Sequence, residues 1–188
     1  IIISQPIKGT AKRFLDSIED EKSKEQLISD PKERSENIMI TDLVRNDLSR
    51  TAQKGSVVVS ELCQVYSFLQ VHQMISTVVA KLDPQYTAID AIKTTFPMGS
   101  MTGAPKISAM KIIEEQEETK RGLYSGAVGY FTPNGDFDFN VIIRSILYNQ
   151  EKKYVSFSVG SAITAQSVPE KEYDECLLKA KAMREVLT

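Results

Sequence analysis

The sequence predicts an α+β fold, on three observations. Strand-like and helix-like stretches come in blocks rather than in strict alternation. The composition is globular, with 41% hydrophobic and 26% charged residues, and 188 residues are enough to bury a sizeable core. No internal repeat, low-complexity tract or linker interrupts the chain.

Residues 1–7 are rich in isoleucine and read as a strand. Pro6 weakens its end and Gly9 predicts a turn. A helix is expected over 14–28, with Phe14, Leu15, Ile18, Leu27 and Ile28 as its apolar residues. Asp30-Pro31 is an N-cap followed by proline at the first helical position. It opens a second helix expected to reach about residue 53, with Ile38, Leu43, Val44 and Leu48 on its apolar side and Gly55 beyond its end. Three strand-like stretches follow at 57–59, 62–68 and 71–82, then a short amphipathic helix over 87–96. A turn-rich loop over 97–105 runs into a helix ending near 117. Residues 128–132 and 137–147 read as a hairpin around Pro133-Asn134-Gly135-Asp136, and a further strand is expected over 154–159. Pro169 starts the last helix.

Several function classes are excluded at once. Lys+Arg 23 against Asp+Glu 25 gives a net charge of −2, which argues against a basic nucleic-acid binder and a polybasic membrane surface. Cys63 and Cys176 stand in no metal or redox spacing, so a disulfide scaffold is excluded and a reducing, cytoplasmic compartment is expected. No apolar run is long enough to span a membrane. His72 is the sole histidine, leaving little material for histidine triads or histidine-rich metal sites. The opening Ile1-Ile2-Ile3 reads as a buried strand entered partway and predicts a piece of a longer polypeptide.

Four constellations could carry chemistry. Glu33/Glu36 and Glu172/Glu175 each place two carboxylates on one helical face. Such pairs suit a hard cation such as Mg²⁺, although spacing of this kind more often reflects only the preference of acids for helix first turns. Residues 99–106 form a loop whose backbone N–H groups could hold an anion at the following helix, or whose Thr102 could simply cap it. Lys8, at the end of an apolar strand, is either an amine held out of water and usable as a nucleophile, or a side chain that snorkels to solvent. Arg144, in an apolar stretch expected to be strand, fits a structural salt bridge or a ligand carboxylate equally well.

Taken in order, Pro6-Ile7-Lys8-Gly9-Thr10, the helix segment from Glu36 through Asp42-Leu43-Val44-Arg45-Asn46-Asp47-Leu48, the loop from Gly99 to Lys106, Arg121-Gly122-Leu123-Tyr124-Ser125-Gly126, Ile143-Arg144-Ser145, and Glu172-Tyr173-Asp174-Glu175 with Lys179 resemble the chorismate-utilising enzymes. The resemblance spans nearly the whole chain. It implies an α/β/β/α sandwich, here as an N-terminally truncated copy, with 1–188 forming the C-terminal portion of a chorismate-binding catalytic domain. It implies Mg²⁺ held by Glu36, Glu172 and Glu175, with Glu33 a weaker match, and Lys179 meeting the same substrate carboxylate as the metal. Tyr124 and Arg144 match the pair that meets the enolpyruvyl carboxylate, and Ser100 and the backbone near Gly160 match substrate-contacting positions.

Branches of this family that make anthranilate, salicylate or isochorismate usually carry alanine where Lys8 stands; lysine there marks the branch that aminates chorismate for 4-aminobenzoate and folate synthesis. In that branch the lysine attacks C2 of chorismate, and ammonia comes from a glutamine amidotransferase subunit. Three departures matter. Gln73 stands where several branches carry a catalytic histidine, and His72, one residue away, faces the other side of a strand. Ala162 stands where the family often has glycine. The family's upstream Ser-Pro-Glu segment has no counterpart in the sequence. The alternatives to an aminating enzyme are the anthranilate-forming branch and a non-catalytic piece that keeps a partner-docking surface.

Overall fold

The computed structural model describes residues 1–165 and 167–188. The chain divides into two compact units, Ile1–Glu117 and Glu118–Thr188. Both mix helices and strands, as an α+β protein should.

In the first unit, strands β1 (Ile2–Ser4) and β2 (Ile7–Lys12) precede helices α1 (Ser17–Ser29) and α2 (Pro31–Ser49). Strands β3 (Val58–Ser67) and β4 (Val71–Ala80), then helices α3 (Ala88–Thr95) and α4 (Lys106–Gln116), follow. The four strands form one antiparallel sheet with β4 in the middle, β3 on one edge and β1 and β2 in succession along the other. The central position of β4 matches its near-continuous burial. Val78 and Ala80 pack against Leu48 and Ile2, and Met74 against Leu27 and Cys63. The row 72, 74, 76, 78, 80 therefore faces the helices, and Gln73, Ile75 and Thr77 lie on the opposite face.

Local chemistry sets the helix ends. Asp30 caps α2 by accepting from the backbone N–H groups of Lys32 and Glu33, a cap worth about 1 kcal/mol. Thr87 and Asp90 form a reciprocal capping box at α3. Several expectations need correction. The strand expected over 1–7 is broken at Gln5-Pro6, and Gly9 makes no turn: it sits inside β2 at φ +98°, opposite β4. The stretches 57–59 and 62–68 are one strand, β3, with irregular register. Leu15 and Ile18 are exposed, and α1 buries only Leu27. Ile38 is exposed as well; the buried residues of α2 are Asn37, Ile40, Thr41, Asp47 and Leu48, three of them polar.

His72 is 1% exposed. Its Nε2 lies 3.1 Å from Asp20 Oδ1 and its Nδ1 2.8 Å from Ser67 Oγ. Arg13, the Phe14 amide and His72 hold the Asp20 carboxyl well below the usual carboxylate range. His72 thus ties α1 to the sheet on the face away from Gln73, as strand alternation requires.

In the second unit, β5 (Ala127–Phe131) and β6 (Phe137–Val141) form one hairpin, β7 (Leu147–Asn149) and β8 (Tyr154–Ser156) another, and α5 (Pro169–Leu187) follows. Phe131, Phe137 and Phe139 cluster on the first hairpin with ring centroids 5.4–6.3 Å apart. The strand expected to continue to 147 stops at Val141, so Arg144 is not in a strand: it sits exposed in a bend at φ +49°.

Candidate active site

Lys8 sits in a bulge. Ile7 pairs with Ile75 and Thr10 with Gln73, so Lys8 and Gly9 together oppose Met74. Gly9 supplies the left-handed φ that the bulge needs, and a Cβ built there would lie 3.1 Å from Met74 Cβ and 3.2 Å from Glu33 Oε2. The carboxylate of Glu33 is therefore at the bulge itself. Burial pushes the Glu33 carboxyl up, with the Glu36 charge adding to the rise and the charges of Lys32 and Lys8 opposing it. Glu33, Glu36 and Lys8 are all half-buried.

The bulge is held from α2. Asn37, fully buried, donates from Nδ2 to the Lys8 carbonyl at 3.2 Å and to the Met74 carbonyl at 3.1 Å. Its Oδ1 accepts from Ser76 Oγ, which in turn accepts from the Cys63 amide at 2.9 Å. Cys63, at φ +53°, belongs to a matching irregularity on β3, where Leu62 and Cys63 oppose Ser76. The roles of Asn37 and Ser76 escaped the sequence reading. A signal was present: Asn37 and Thr41 fall four apart on a stripe with Val44 and Leu48, and a polar residue on a buried stripe asks for a partner.

The loop over 99–106 is also fastened to α2. Lys106 Nζ bonds Asp47 Oδ2 at 2.8 Å and the Thr95 carbonyl at 3.1 Å. Gly99 is buried against Leu43, whose Cδ2 would lie 2.6 Å from an added Cβ. Ser100 is half-buried in the single 3₁₀ turn Gly99–Met101. Thr102 does not cap α4. Its hydroxyl turns back to the carbonyls of Met98 and Gly99, and Pro105 holds the N-cap position with no side-chain bond. Gln73 is half-buried on the sheet face opposite the helices.

The second unit gathers four of the residues singled out in the sequence. A Cβ on Gly160 would lie 2.9 Å from the Tyr124 hydroxyl. The Gly160 carbonyl accepts from Lys179 Nζ at 2.9 Å, and the same ammonium pairs with Glu175 at 2.5 Å. Tyr124, Gly160, Lys179 and Glu175 thus form one chain of contacts between the segment before β5, the segment before α5 and α5 itself. Glu172 lies in the first turn of α5, half-buried, one turn from Glu175. Arg144 is not drawn into this chain by any hydrogen bond or ion pair among the described residues. Among those residues the non-glycine positive-φ positions are Cys63, Ser125, Arg144 and Lys153, so Ala162 carries its side chain without left-handed strain.

Among the described residues no three His, Cys, Asp or Glu side chains come together as a ready-made metal cluster. The donor chemistry nevertheless fits Mg²⁺ within each unit. Each offers two carboxylates one helical turn apart, and Mg²⁺ is commonly held by one or two carboxylates plus waters and substrate oxygens. On α2 the mutual charge of Glu33 and Glu36 is a cost that a divalent cation would relieve.

The chain belongs to the chorismate binding enzyme family, whose model matches residues 1–185. It is 43% identical over 186 residues to anthranilate synthase component 1 of Aquifex aeolicus, covering 99% of this chain and 37% of that protein. It is 45% identical over 188 residues to a probable chloroplastic aminodeoxychorismate synthase of Oryza sativa, covering 100% of this chain and 21% of that protein. The crystal structure of anthranilate synthase component I from Streptococcus pneumoniae superposes with a TM-score of 0.83 at 37% identity, over 96% of this chain and 39% of that one. The fold is that of the chorismate-utilising enzymes. The chain spans two fifths or less of the length of these relatives.

Proposed function

We propose that this chain is the catalytic portion of an aminodeoxychorismate synthase component I, which converts chorismate and ammonia to 4-amino-4-deoxychorismate. The observation that carries the reading is Lys8, a half-buried lysine in a β2 bulge whose next residue, Gly9, lies against the carboxylate of Glu33. Anthranilate synthases resemble the chain to a similar degree. The distinction therefore rests on the lysine and on Gln73, which stands where a histidine serves other branches.

In this reading the free Lys8 amine forms a bond to C2 of chorismate. Both ring double bonds shift, C1=C2 to C1=C6 and C5=C6 to C4=C5, the C4–O bond breaks, and the hydroxyl leaves as water with the proton released from the amine. Ammonia then bonds to C4 and gives up a proton, both double bonds shift back, and the Nζ–C2 bond breaks as Nζ takes up that proton. Lys8 is regenerated and the enolpyruvyl group is retained. Tyr124, Lys179 and the Gly160 backbone hold substrate carboxylates, with Arg144 and Ser100 contributing to binding. The Glu33/Glu36 pair of the first unit and the Glu172/Glu175 pair of the second are the carboxylates that would serve Mg²⁺, which would supply charge neutralisation at the ring carboxylate. Ammonia is delivered by a glutamine amidotransferase partner.

The test incubates the full-length protein with chorismate and Mg²⁺ in the absence of ammonia and reads the intact mass. An adduct on the wild type that is lost in Lys8→Ala supports the reading. In a second incubation with ammonia added, near-normal aminodeoxychorismate formation by Lys8→Ala sinks the covalent route. A product that has lost its enolpyruvyl group makes the protein an anthranilate synthase instead.

A further inference from the structure

Lys8 sits where a strand departs from regular pairing, and something must fix that departure. In a bulge the extra residue is unpaired with the neighbouring strand and its side chain is re-aimed. Here two residues of β2, Lys8 and Gly9, oppose Met74, and the carbonyls of Lys8 and Met74 both receive hydrogen bonds from one side-chain amide, that of Asn37. The amide cannot turn over without losing its bond from Ser76, because Oδ1 would then face two carbonyl acceptors. Asn37 is fully buried and follows Glu36 directly on α2, one turn after Glu33.

We propose that Asn37 is a positioning residue for Lys8: its amide clamps the β2 bulge and fixes the amine-bearing strand against the turn of α2 that carries Glu33 and Glu36. This rests on the reading of Lys8 as the nucleophile. The argument is geometric. A buried carbonyl without a donor is costly, so the Lys8 peptide is oriented by the bond it accepts. One carbonyl lies on β2 and the other on β4, so the two bonds, which originate from a single nitrogen on the helix, fix both strands of the bulge against α2. A misplacement of about 1 Å in a reacting group can reduce turnover on the order of 100-fold.

The test uses the full-length protein with ammonia as nitrogen donor. Asn37→Ala removes the donors, and Asn37→Asp keeps the shape and the acceptor for Ser76 while losing both donated bonds. The expected result is a loss of kcat of roughly tenfold or more, with KM for chorismate within about threefold. Adduct formation in the absence of ammonia should slow by the same factor. Val78→Ala, in the core on the same strand and away from the bulge, controls for general loosening: it should lower thermal stability and leave kcat within about twofold. The proposal is overturned if either folded Asn37 variant keeps kcat within twofold of the wild type. It is equally overturned if Val78→Ala loses as much kcat for the same drop in melting temperature. Lys8→Ala, assayed in parallel, separates the two readings. If it retains turnover, the nucleophile assignment has failed and the positioning role falls with it; if it is dead while the Asn37 variants turn over normally, only the positioning role has failed.

Discussion

Replacing Lys106 by methionine isolates the contact that fastens the loop over 99–106 to α2. The Lys106 side chain is 10% exposed and that of Asp47 3%. The substitution keeps most of the aliphatic stem but leaves the buried carboxylate of Asp47 without the ammonium that donates to it. Breaking one side of such a pair costs about 3–5 kcal/mol, a large part of the roughly 5–15 kcal/mol that holds an ordinary domain together. At this chain length that corresponds to a fall of roughly 6–20 °C in melting temperature. The pH dependence follows from Asp47. Burial already pushes its carboxyl up, with Lys106 the main opposing influence. A carboxyl whose folded pKa is raised favours folding below its unfolded value, about 3.9, and that contribution is lost as pH rises through the folded value. Without Lys106 the folded value rises further, so the variant's deficit should be full at pH 7.5 and shrink towards about pH 4.5. Urea denaturation of wild type and variant at both pH values reads this directly. Lys106→Met combined with Asp47→Leu should recover much of the loss, because no unpaired charge remains. A deficit below about 1 kcal/mol at pH 7.5, or one that is equal at both pH values, refutes the reasoning.

Two further outcomes follow from the bulge and the carboxylates. Gly9→Ala should destabilise the protein by about 1–3 kcal/mol, since a Cβ at φ +98° is strained and crowds Met74 and Glu33; unchanged stability by chemical denaturation would contradict the account of the bulge. Mg²⁺ should bind weakly to the protein alone and more tightly with chorismate, because the substrate supplies oxygen ligands that the paired carboxylates lack. Glu36→Gln and Glu175→Gln should each weaken that coupling, and calorimetry showing it intact in both would remove the metal assignment.

What the sequence made legible was the part governed by local rules. Asp30-Pro31, Thr87 and Pro169 mark helix starts through capping and fixed φ, and the structure puts helices there. The turn signal at Asn134-Gly135 likewise yields the β5–β6 hairpin. The misreadings share another cause. Gly9 reads as a turn because a left-handed glycine most often makes one; that it makes a bulge depends on β4, more than sixty residues away. Ile38 looks like a core residue and Asn37 like a surface one, yet the order is reversed, because two irregular strands need polar partners where a regular sheet would need none. Arg144 reads as strand from its apolar neighbours, and only its φ of +49° shows the chain bending there. Of the candidate site, the residue types were visible, but their contacts were not. Lys179 and Glu175 are paired by helical spacing and could be anticipated, whereas the Gly160 carbonyl that Lys179 also meets lies in a separate segment.

The density of motif residues on α2 has a physical reason that differs at each position. Glu33 and Glu36 act on each other through their charges, and the charge of Lys8 acts on Glu33 as well. Asn37 supplies two donors to carbonyls that the sheet leaves unserved, which is a matter of hydrogen-bond accounting. Leu43 is approached so closely by Gly99 that a side chain on the glycine would displace it, which is packing. Asp47 is a buried charge that demands a cation, and Lys106 provides it from the far end of the loop. Val44 and Leu48 meanwhile anchor the helix to Val78 and Ala80 at the centre of the sheet. A helix held only by its apolar stripe could slide or rotate slightly at little cost. One that is also bonded to two strand carbonyls and a distant lysine has a single allowed position, and each of those bonds reaches a different stretch of chain. The rigid setting of Lys8 and of the loop bearing Ser100 is therefore a property of α2, and substitutions on this helix that spare every substrate-contacting side chain should still register in turnover.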